Sequence, residues 1–262
     1  MNDMKPVCLI IGAGAGIGGH VGKRFARDGY HIILSRRSDA SGLENLVKDI
    51  VQDGGSAEGR LLNIVDENAI ENLIHDIEKN SGPIEVVVHN IGAQIGNRRL
   101  TDTSLKTFEL GWRLSCFSLF RLAYTVLPLM AQRGKGTLLV TSSTAAQRGN
   151  AGQHSHAAAM GGRRMLCQSL NAEFASQNIH VAHIVIDGAV DAPDTLGKML
   201  GPEAFEKLRK DKGSEDGLML PEHIADTYFH IAQQHRSVWT HELDLRSFSD
   251  EAWWNHAVNI EF

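Results

Sequence analysis

Cysteine, basic charge and long apolar runs are all scarce in this sequence. Its three cysteines, Cys8, Cys116 and Cys167, lie far apart without a CxxC pair, which excludes a disulfide framework and suits a reducing compartment. A formal net charge of -5 leaves no broad basic surface for nucleic acid or an anionic membrane. The N-terminal apolar stretch is too short for a signal peptide, and no later run approaches the roughly 20 residues of a membrane span. These absences predict a cytoplasmic protein that binds neither nucleic acid nor membrane.

Short apolar runs alternate with helix-like stretches along the chain. The apolar runs have the composition of buried strands and are bounded by glycine or polar residues: VCLII from Val7, HIILS from His31, EVVVHN from Glu85, TLLVTS from Thr137 and HVAHIVI from His180. Near the C-terminus, WTHELDLR from Trp239 alternates as a last strand would. The helix-like stretches cover residues 42–54, 66–82, 104–132, 150–177 and 221–234. The alternation predicts an α/β fold with a Rossmann-type, doubly wound parallel sheet. Because no linker, repeat or low-complexity tract interrupts it, residues 1–262 are expected to form a single domain.

A glycine-rich segment, IGAGAGIGG from Ile11 to Gly19, follows the first predicted strand and opens a helix. Glycines at such a turn let the backbone approach a pyrophosphate, which then lies at the positive end of the helix. A formal GxGxxG begins two residues too late after the strand, so we assign Gly12, Gly16 and Gly18 as a GxxxGxG loop. The order of strand, loop and helix predicts a dinucleotide site. A tight turn without a ligand is the alternative.

The end of the second strand decides between the two pyridine dinucleotides. A carboxylate there would bind the ribose 2′-hydroxyl of NAD, whereas arginine accommodates the 2′-phosphate of NADP. The sequence has Ser35, Arg36 and Arg37 at this point, which favours NADP(H) over NAD(H) through charge-assisted contacts. The alternative is that both arginines are solvated loop charges.

These motifs, with HNIGA after the fourth strand and Ser143 after the fifth, resemble those of the short-chain dehydrogenase/reductase family over nearly the whole chain. The resemblance implies an NAD(P)-dependent oxidoreductase in which Asn90-Ile91-Gly92 stands for the family's NAG element and Ser143 for its catalytic serine. It also implies that an insertion around residues 191–215 covers a small-molecule substrate. The predicted cofactor-binding residues are Gly12, Gly16, Ile17, Gly18, Arg36, Arg37, Asn63, Asn90 and Gly92.

The sequence departs from the family pattern where the chemistry is expected. The family's tyrosine lies thirteen residues beyond the serine and its lysine four residues further, and this sequence has His156 and Met160 at those positions. Ser115 stands where the family usually has an asparagine, and Asp187-Gly188 replaces its proline-glycine. The predicted active site is therefore atypical.

A histidine in place of the tyrosine is chemically coherent with the loss of the lysine. Tyrosine, with an ordinary pKa of about 10, needs a neighbouring cation to exchange protons near neutrality, whereas histidine starts near 6.5 and does not. We therefore predict Ser143 and His156 as the catalytic pair. The alternative is that the shorter imidazole only fills space and Met160 packs as an apolar side chain. His154 and His156 form an HxH pair, but no third ligand has suitable spacing, so no metal site is expected.

Three functions remain open at this stage. The leading prediction is an NADP(H)-binding oxidoreductase that acts on a carbonyl or alcohol. A non-redox acid–base enzyme, such as a dehydratase, isomerase or lyase, would use the same pocket. A catalytically silent nucleotide-binding protein is the third.

Self-association is predicted from the helices at 104–132 and 150–177, which pack on partner copies in this family. Five apolar residues of the first helix exceed what one buried face needs, which favours a homodimer or homotetramer: Leu114, Phe117, Leu119, Phe120 and Leu122. Arg163 and Arg164 are interpreted as solvated or interface charges, with anion binding as the alternative. Trp253 and Trp254 are expected to close over a pocket or to pack on a neighbouring subunit.

Overall fold

Seven parallel strands form one sheet in the computed structural model, which describes residues 5–92 and 98–254. Their order is β3-β2-β1-β4-β5-β6-β7. The strands are β1 (Val7–Ile11), β2 (His31–Arg36), β3 (Ser56–Leu61), β4 (Ile84–His89), β5 (Gly136–Ser143), β6 (Ile179–Asp187) and β7 (Glu242–Arg246). The order reverses between β1 and β4, so the predicted doubly wound α/β fold is confirmed.

Helices cover both faces of the sheet. They are α1 (Ile17–Arg27), α2 (Ala40–Gln52), α3 (Ala69–Asn80), α4 (Leu105–Trp112), α5 (Ser118–Arg133), α6 (His154–Phe174), α7 (Lys198–Leu200), α8 (Pro202–Gly213) and α9 (Pro221–Ala232). A π-helical turn, Arg113–Phe117, joins α4 to α5, and a second one, Pro193–Gly197, precedes α7.

The two hydrophobic cores follow from the strand alternation. In β1, Leu9 and Ile11 point to the side covered by α3, α5 and α6, whereas Cys8 and Ile10 point to the side covered by α1, α2 and α9. Since successive side chains of a strand face opposite ways, a strand buried on both faces has to be apolar throughout. The run VCLII meets this requirement.

Three features differ from the sequence-based prediction: strand β3, the interruption of the long helix, and the first residue of the last strand. β3 was not predicted because its sequence, SAEGRL, has no apolar run, and its residues are only half-buried or exposed at the sheet edge. The stretch predicted as a single helix at 104–132 is interrupted by the π-helical turn Arg113–Phe117. The last predicted strand, WTHELDLR, is paired only from Glu242 onward.

The C-terminal part of the chain packs against its beginning. Arg24 Nε on α1 donates to Asp226 Oδ1 on α9 at 2.9 Å, and the rings of Phe25 and Phe229 lie 5.2 Å apart. The tail then reaches the end of β6, where the Trp253 backbone N–H donates to Asp187 Oδ2 at 3.2 Å. Trp253 therefore packs on its own chain.

The segment Leu105–Arg133 is long and apolar enough to cross a membrane by length and composition alone. The sequence predicts no such segment, because no apolar run in it approaches roughly 20 residues. Leu119, Leu122 and Val126 on this segment belong to the core, and core helices commonly pass the same test, so the segment is weak evidence for a membrane span.

Candidate active site

The glycine loop between β1 and α1 is built so that side chains would not fit. Gly12 has a φ of +97°, and a Cβ on it would lie 2.4 Å from the Asn90 carbonyl oxygen. A Cβ on Gly18 would lie 2.4 Å from the Gly12 carbonyl oxygen, and one on Gly16 would lie 2.8 Å from the Ala192 Cβ. A Cβ on Gly14 would make only ordinary contacts, which favours the GxxxGxG assignment over the GxGxxG that begins there.

Backbone and side-chain hydrogen bonds hold this loop against the ends of β2 and β4. The backbone N–H groups of Gly12 and Ala13 both donate to the Ser35 carbonyl oxygen, at 2.9 and 2.8 Å. Asn90 Nδ2, just after β4, donates to the Gly12 carbonyl oxygen at 2.9 Å. α1 begins without a side-chain cap, so the positive end of the helix faces the space above the loop. This cradle fits a phosphate or pyrophosphate group.

All of the predicted site residues line one cleft of about 490 Å³ at the carboxyl ends of the strands. Arg36 and Arg37 lie after β2, and the glycine loop lies after β1. Ser143 and His156 lie at the end of β5 and the start of α6. Asn63, Asn90 and Gly92 also line this cleft. Ala93, the last residue of HNIGA, lies outside the described residues.

Ser143 and His156 are within hydrogen-bond distance of each other. Ser143 Oγ lies 3.2 Å from His156 Nε2, and both side chains are half-buried in the cleft. A hydroxyl and an imidazole at this distance can pass a proton between them or share a bound oxygen atom. Met160 is buried one turn further along α6, and Ser142 Oγ lies 3.8 Å from its Sδ.

Arg36 and Arg37 are in different electrostatic settings. Arg36 Nη2 lies 3.1 Å from Asp39 Oδ2 and 3.3 Å from Asp194 Oδ2. Arg37 is exposed and has no hydrogen-bond or ion-pair partner among the described residues. Of the two arginines after β2, Arg36 is therefore bound by carboxylates and Arg37 is unpaired in the described part of the chain.

Asp194, in the segment predicted to cover the substrate, reaches the glycine loop. Its Oδ2 accepts a hydrogen bond from the Ala15 backbone N–H at 3.2 Å and also contacts Arg36. Partial burial raises the pKa of this carboxyl, but the Ala15 N–H and the charges of Lys198 and Arg36 outweigh burial and hold it below its ordinary value. Asp194 is thus an anion placed at the helix end where a phosphate would bind.

Arg163 was interpreted as a solvated or interface charge, and this interpretation was wrong. Its side chain is 1% exposed and lines the cleft beside Met160. Arg163 Nη2 donates to the carbonyl oxygens of Ile91, at 2.7 Å, and Ser115, at 3.3 Å, and Nη1 donates to that of Thr141. Its neighbour Arg164 does lie near the surface, where it is paired with Glu242.

The spacing of apolar residues along α6 indicates that Arg163 is buried. Met160, Arg163, Cys167 and Leu170 are spaced by three or four residues, and all four lie on the buried face of α6. A charge on an apolar stripe is expected to point into the protein. Asp194 had no comparable signal, since its segment is polar without periodicity.

The HxH pair at His154 and His156 gains no further ligand in the fold. Among residues 5–92 and 98–254, no three His, Cys, Asp or Glu side chains come together in a way that could hold a metal ion.

Known proteins resemble this chain over the region that forms the cleft. Residues 6–196 match the family model described as short chain dehydrogenase. The 7alpha-hydroxysteroid dehydrogenase of Escherichia coli K12 is 29% identical over 200 residues, which are 76% of this chain and 76% of that protein.

Two solved structures extend this similarity. A 7 alpha-hydroxysteroid dehydrogenase complexed with NADH and 7-oxo glycochenodeoxycholic acid has a TM-score of 0.79 at 27% identity, covering 93% of this chain and 94% of that one. A variant of actinorhodin polyketide ketoreductase with NADPH has a TM-score of 0.81 at 21% identity, covering 92% of this chain and 96% of that one, and it is similar in fold.

Proposed function

Because the chain belongs to the short-chain dehydrogenase family of oxidoreductases, we propose that it transfers hydride between NADP(H) and a small carbonyl or alcohol substrate. The observation that carries this proposal is the 3.2 Å contact of Ser143 with His156 in the same cleft as the glycine loop. A similar protein is named a hydroxysteroid dehydrogenase, which supports a secondary alcohol or ketone as the substrate class.

Each residue has a definite role in this proposal. The backbone around Gly12, Gly16 and Gly18 binds the pyrophosphate at the start of α1. Ser143 hydrogen-bonds the substrate oxygen, and His156 donates the proton in reduction or accepts it in oxidation. NADPH supplies the hydride when bound. The serine and the imidazole hold the oxygen and move its proton.

The histidine sets where the substrate lies. An imidazole nitrogen is about 2 Å closer to its Cα than a tyrosine hydroxyl, and displacement of a catalytic group by about 1 Å can cost a hundredfold in rate. We infer that the substrate oxygen binds correspondingly deeper in the cleft. In this proposal, the deeper position of the substrate compensates for the shorter side chain.

The NADP(H) assignment is supported by charge at the far end of the cleft. Arg36 and Arg37 both line it after β2, where a 2′-phosphate would gain charge-assisted hydrogen bonds. The similar structures carry NADH in one case and NADPH in the other. Selectivity therefore has to be argued from these arginines.

Replacement of the histidine tests the proposal. His156→Ala is expected to abolish NADPH-dependent reduction of a ketone panel while cofactor affinity, measured by fluorescence titration, stays within about threefold. Ser143→Ala is expected to lower kcat similarly. The double variant His156→Tyr with Met160→Lys is expected to lower turnover of the best parent substrate, because the longer phenol fills its space.

Three results would contradict the proposal. Product formation without cofactor oxidation would indicate non-redox acid–base chemistry. An inactive parent that gains ketone reduction in the double variant would indicate a site that lost its reaction. A His156→Ala enzyme with full activity would remove the proton-transfer role.

A further inference from the structure

Arg163 is a buried cation with no compensating carboxylate among the described residues. Its guanidinium is held by the backbone carbonyl oxygens of Thr141, Ile91 and Ser115, which belong to β5, the loop after β4 and the π-helical turn. No described carboxylate oxygen lies within 4.0 Å of it, and its Nε–H has no hydrogen-bond partner there. Buried charges are normally paired, so an unpaired one in a cleft wall indicates an electrostatic role.

The titratable groups around Arg163 do not neutralise it. Burial raises the pKa values of the Cys116 and Cys167 thiols and of the Tyr228 phenol, so these groups carry no negative charge near neutrality. Burial, together with the charge of Arg163, lowers the pKa of His89, which keeps that ring neutral. Burial lowers the pKa of Arg163 itself only to about 10, so the guanidinium stays protonated at pH 7. The cleft wall thus has a permanent positive charge.

This charge is at the end of the cleft where the chemistry is proposed. Arg163 lies one turn beyond Met160 on α6 and lines the same cleft as Ser143 and His156. Hydride transfer requires the nicotinamide ring to reach the carbon whose oxygen these two residues hold. The ring therefore has to bind beside Ser143, and Arg163 donates to the carbonyl oxygen of Thr141, two residues before that serine.

We propose that Arg163 makes this site bind the reduced nicotinamide cofactor in preference to the oxidised one. The oxidised ring carries a positive charge and the reduced ring is neutral, so a fixed cation repels only the oxidised form. The inference rests on the proposed function and adds that the enzyme works in the direction of carbonyl reduction. In carbonyl reduction a hydride from NADPH and one proton form the alcohol, and the NADP⁺ that remains is the form this charge helps to release.

Equilibrium binding tests the proposal without turnover. Dissociation constants for NADPH, NADP⁺ and 2′,5′-ADP, which lacks the nicotinamide, are measured by calorimetry for the parent and for Arg163→Lys, Arg163→Met and Arg164→Met. We expect the parent to bind NADPH at least about tenfold more tightly than NADP⁺, a difference of about 1.4 kcal/mol. Arg163→Lys keeps this ratio of the NADP⁺ and NADPH dissociation constants. In Arg163→Met the two constants differ by less than about twofold.

Arg164→Met is the control, because Arg164 is paired with Glu242 near the surface. This variant is expected to keep the parent ratio of dissociation constants. Unchanged 2′,5′-ADP binding in Arg163→Met shows that the phosphate cradle is intact, and Arg163→Gln replaces that variant if it fails to fold.

A parent that binds both redox forms equally overturns the inference, as does an unchanged ratio in Arg163→Met or Arg163→Gln. If the chain prefers NAD(H), the ratio is read with NADH and NAD⁺. A chain that binds none of these nucleotides contradicts the proposed function instead.

Discussion

Arg36 and Arg37 are neighbours in sequence, but their charges differ in availability. Arg36 already contacts Asp39 and Asp194, whereas Arg37 is exposed. We expect NADP(H) to bind more tightly than NAD(H), and Arg37→Ala to weaken NADP(H) binding by about tenfold, because it removes the freer charge from the 2′-phosphate. Arg36→Ala should weaken NADP(H) binding less than Arg37→Ala does. The double variant should lose most of the preference for NADP(H) over NAD(H).

Titration of each variant with NADPH and NADH measures this effect. Since NADH has no 2′-phosphate, its dissociation constant is the internal control and should change by less than about twofold. Equal affinities of the parent for the two cofactors would contradict the assignment.

His183 links protonation to stability. Burial lowers its pKa to about 4, the nearby Glu242 carboxylate opposes this, and the charges of Arg163 and Arg164 add to it. Unfolded histidine titrates near 6.5, so between about pH 6.5 and 4 the unfolded chain binds a proton that the folded chain does not. The free energy of unfolding should therefore fall with decreasing pH in this window, by about 1.4 kcal/mol per unit for one such histidine.

Urea unfolding between pH 7 and 4.5 measures this dependence. His183→Gln is expected to reduce this slope without removing it, because burial also lowers the pKa of His89, which remains. His223→Gln should leave the slope unchanged, because the His223 side chain is 74% exposed. Identical slopes in the parent and His183→Gln would show that other groups cause the acid sensitivity.

Arg163 and Arg164 show what sequence reasoning predicts at the residue scale. Arginine is usually exposed, and Arg164 follows this rule. Arg163 does not, because three backbone carbonyl oxygens from separate elements meet around it. Such a convergence depends on tertiary structure, whereas Ser143 and the glycine loop were predictable from their positions at strand ends.

At the scale of elements, the segment after β6 brings a carboxylate to the cofactor cleft. Asp194 accepts from the Ala15 N–H and contacts Arg36, and Ala192 and Thr195 line the same cleft. A bound phosphate would compete with this carboxylate for the end of α1. We expect Asp194→Asn to tighten NADPH binding by about fivefold, because it removes a competing charge and releases Arg36.

Asp211→Asn is the matched control, since it removes the same charge from an exposed position on α8. Its NADPH affinity should equal that of the parent. Weaker binding by Asp194→Asn would mean that this carboxylate organises the loop for the cofactor instead of competing with it.

Strands that are buried on both faces were predictable from their apolar runs, whereas of the two edge strands only β7 was predicted, from its alternation. β1 and β6 are recognisable in the sequence as apolar runs, because both of their faces are covered. β3 lies at the sheet edge, and its sequence SAEGRL has neither an apolar run nor a regular alternation that would indicate a strand. The π-helical turn at Arg113–Phe117 leaves the apolar spacing of the flanking helices almost unchanged, so periodicity did not reveal it.

At the scale of the whole molecule, the predicted self-association rests on a partly different set of residues. Of the five residues expected to exceed one buried face, Leu119 and Leu122 belong to the core and Leu114 packs against it, whereas Phe120 is exposed. The exposed apolar side chains of α4 and α5 are Leu105, Phe108, Leu110, Trp112, Phe120 and Tyr124. This patch keeps a homodimer or homotetramer as the expected state.

Light scattering at micromolar concentration measures the oligomeric state. The double variant Phe120→Arg with Tyr124→Arg is expected to be monomeric, because it places two charges in the contact. Val51→Arg, on α2, should keep the parent mass, since this exposed residue lies over the other face of the sheet. A monomeric parent would contradict the prediction.

The packing of α1 against α9 has a consequence during synthesis. Arg24 and Asp226 are 202 residues apart, and ribosomes add about 5 to 20 residues per second. The side of α1 that includes Phe25 therefore stays uncovered by α9 for about 10 to 40 s, until α9 has been translated. Throughout this interval the glycine loop and α1 lack the helix that covers them, so we expect the nascent chain to bind chaperones that recognise exposed apolar segments at the ribosome.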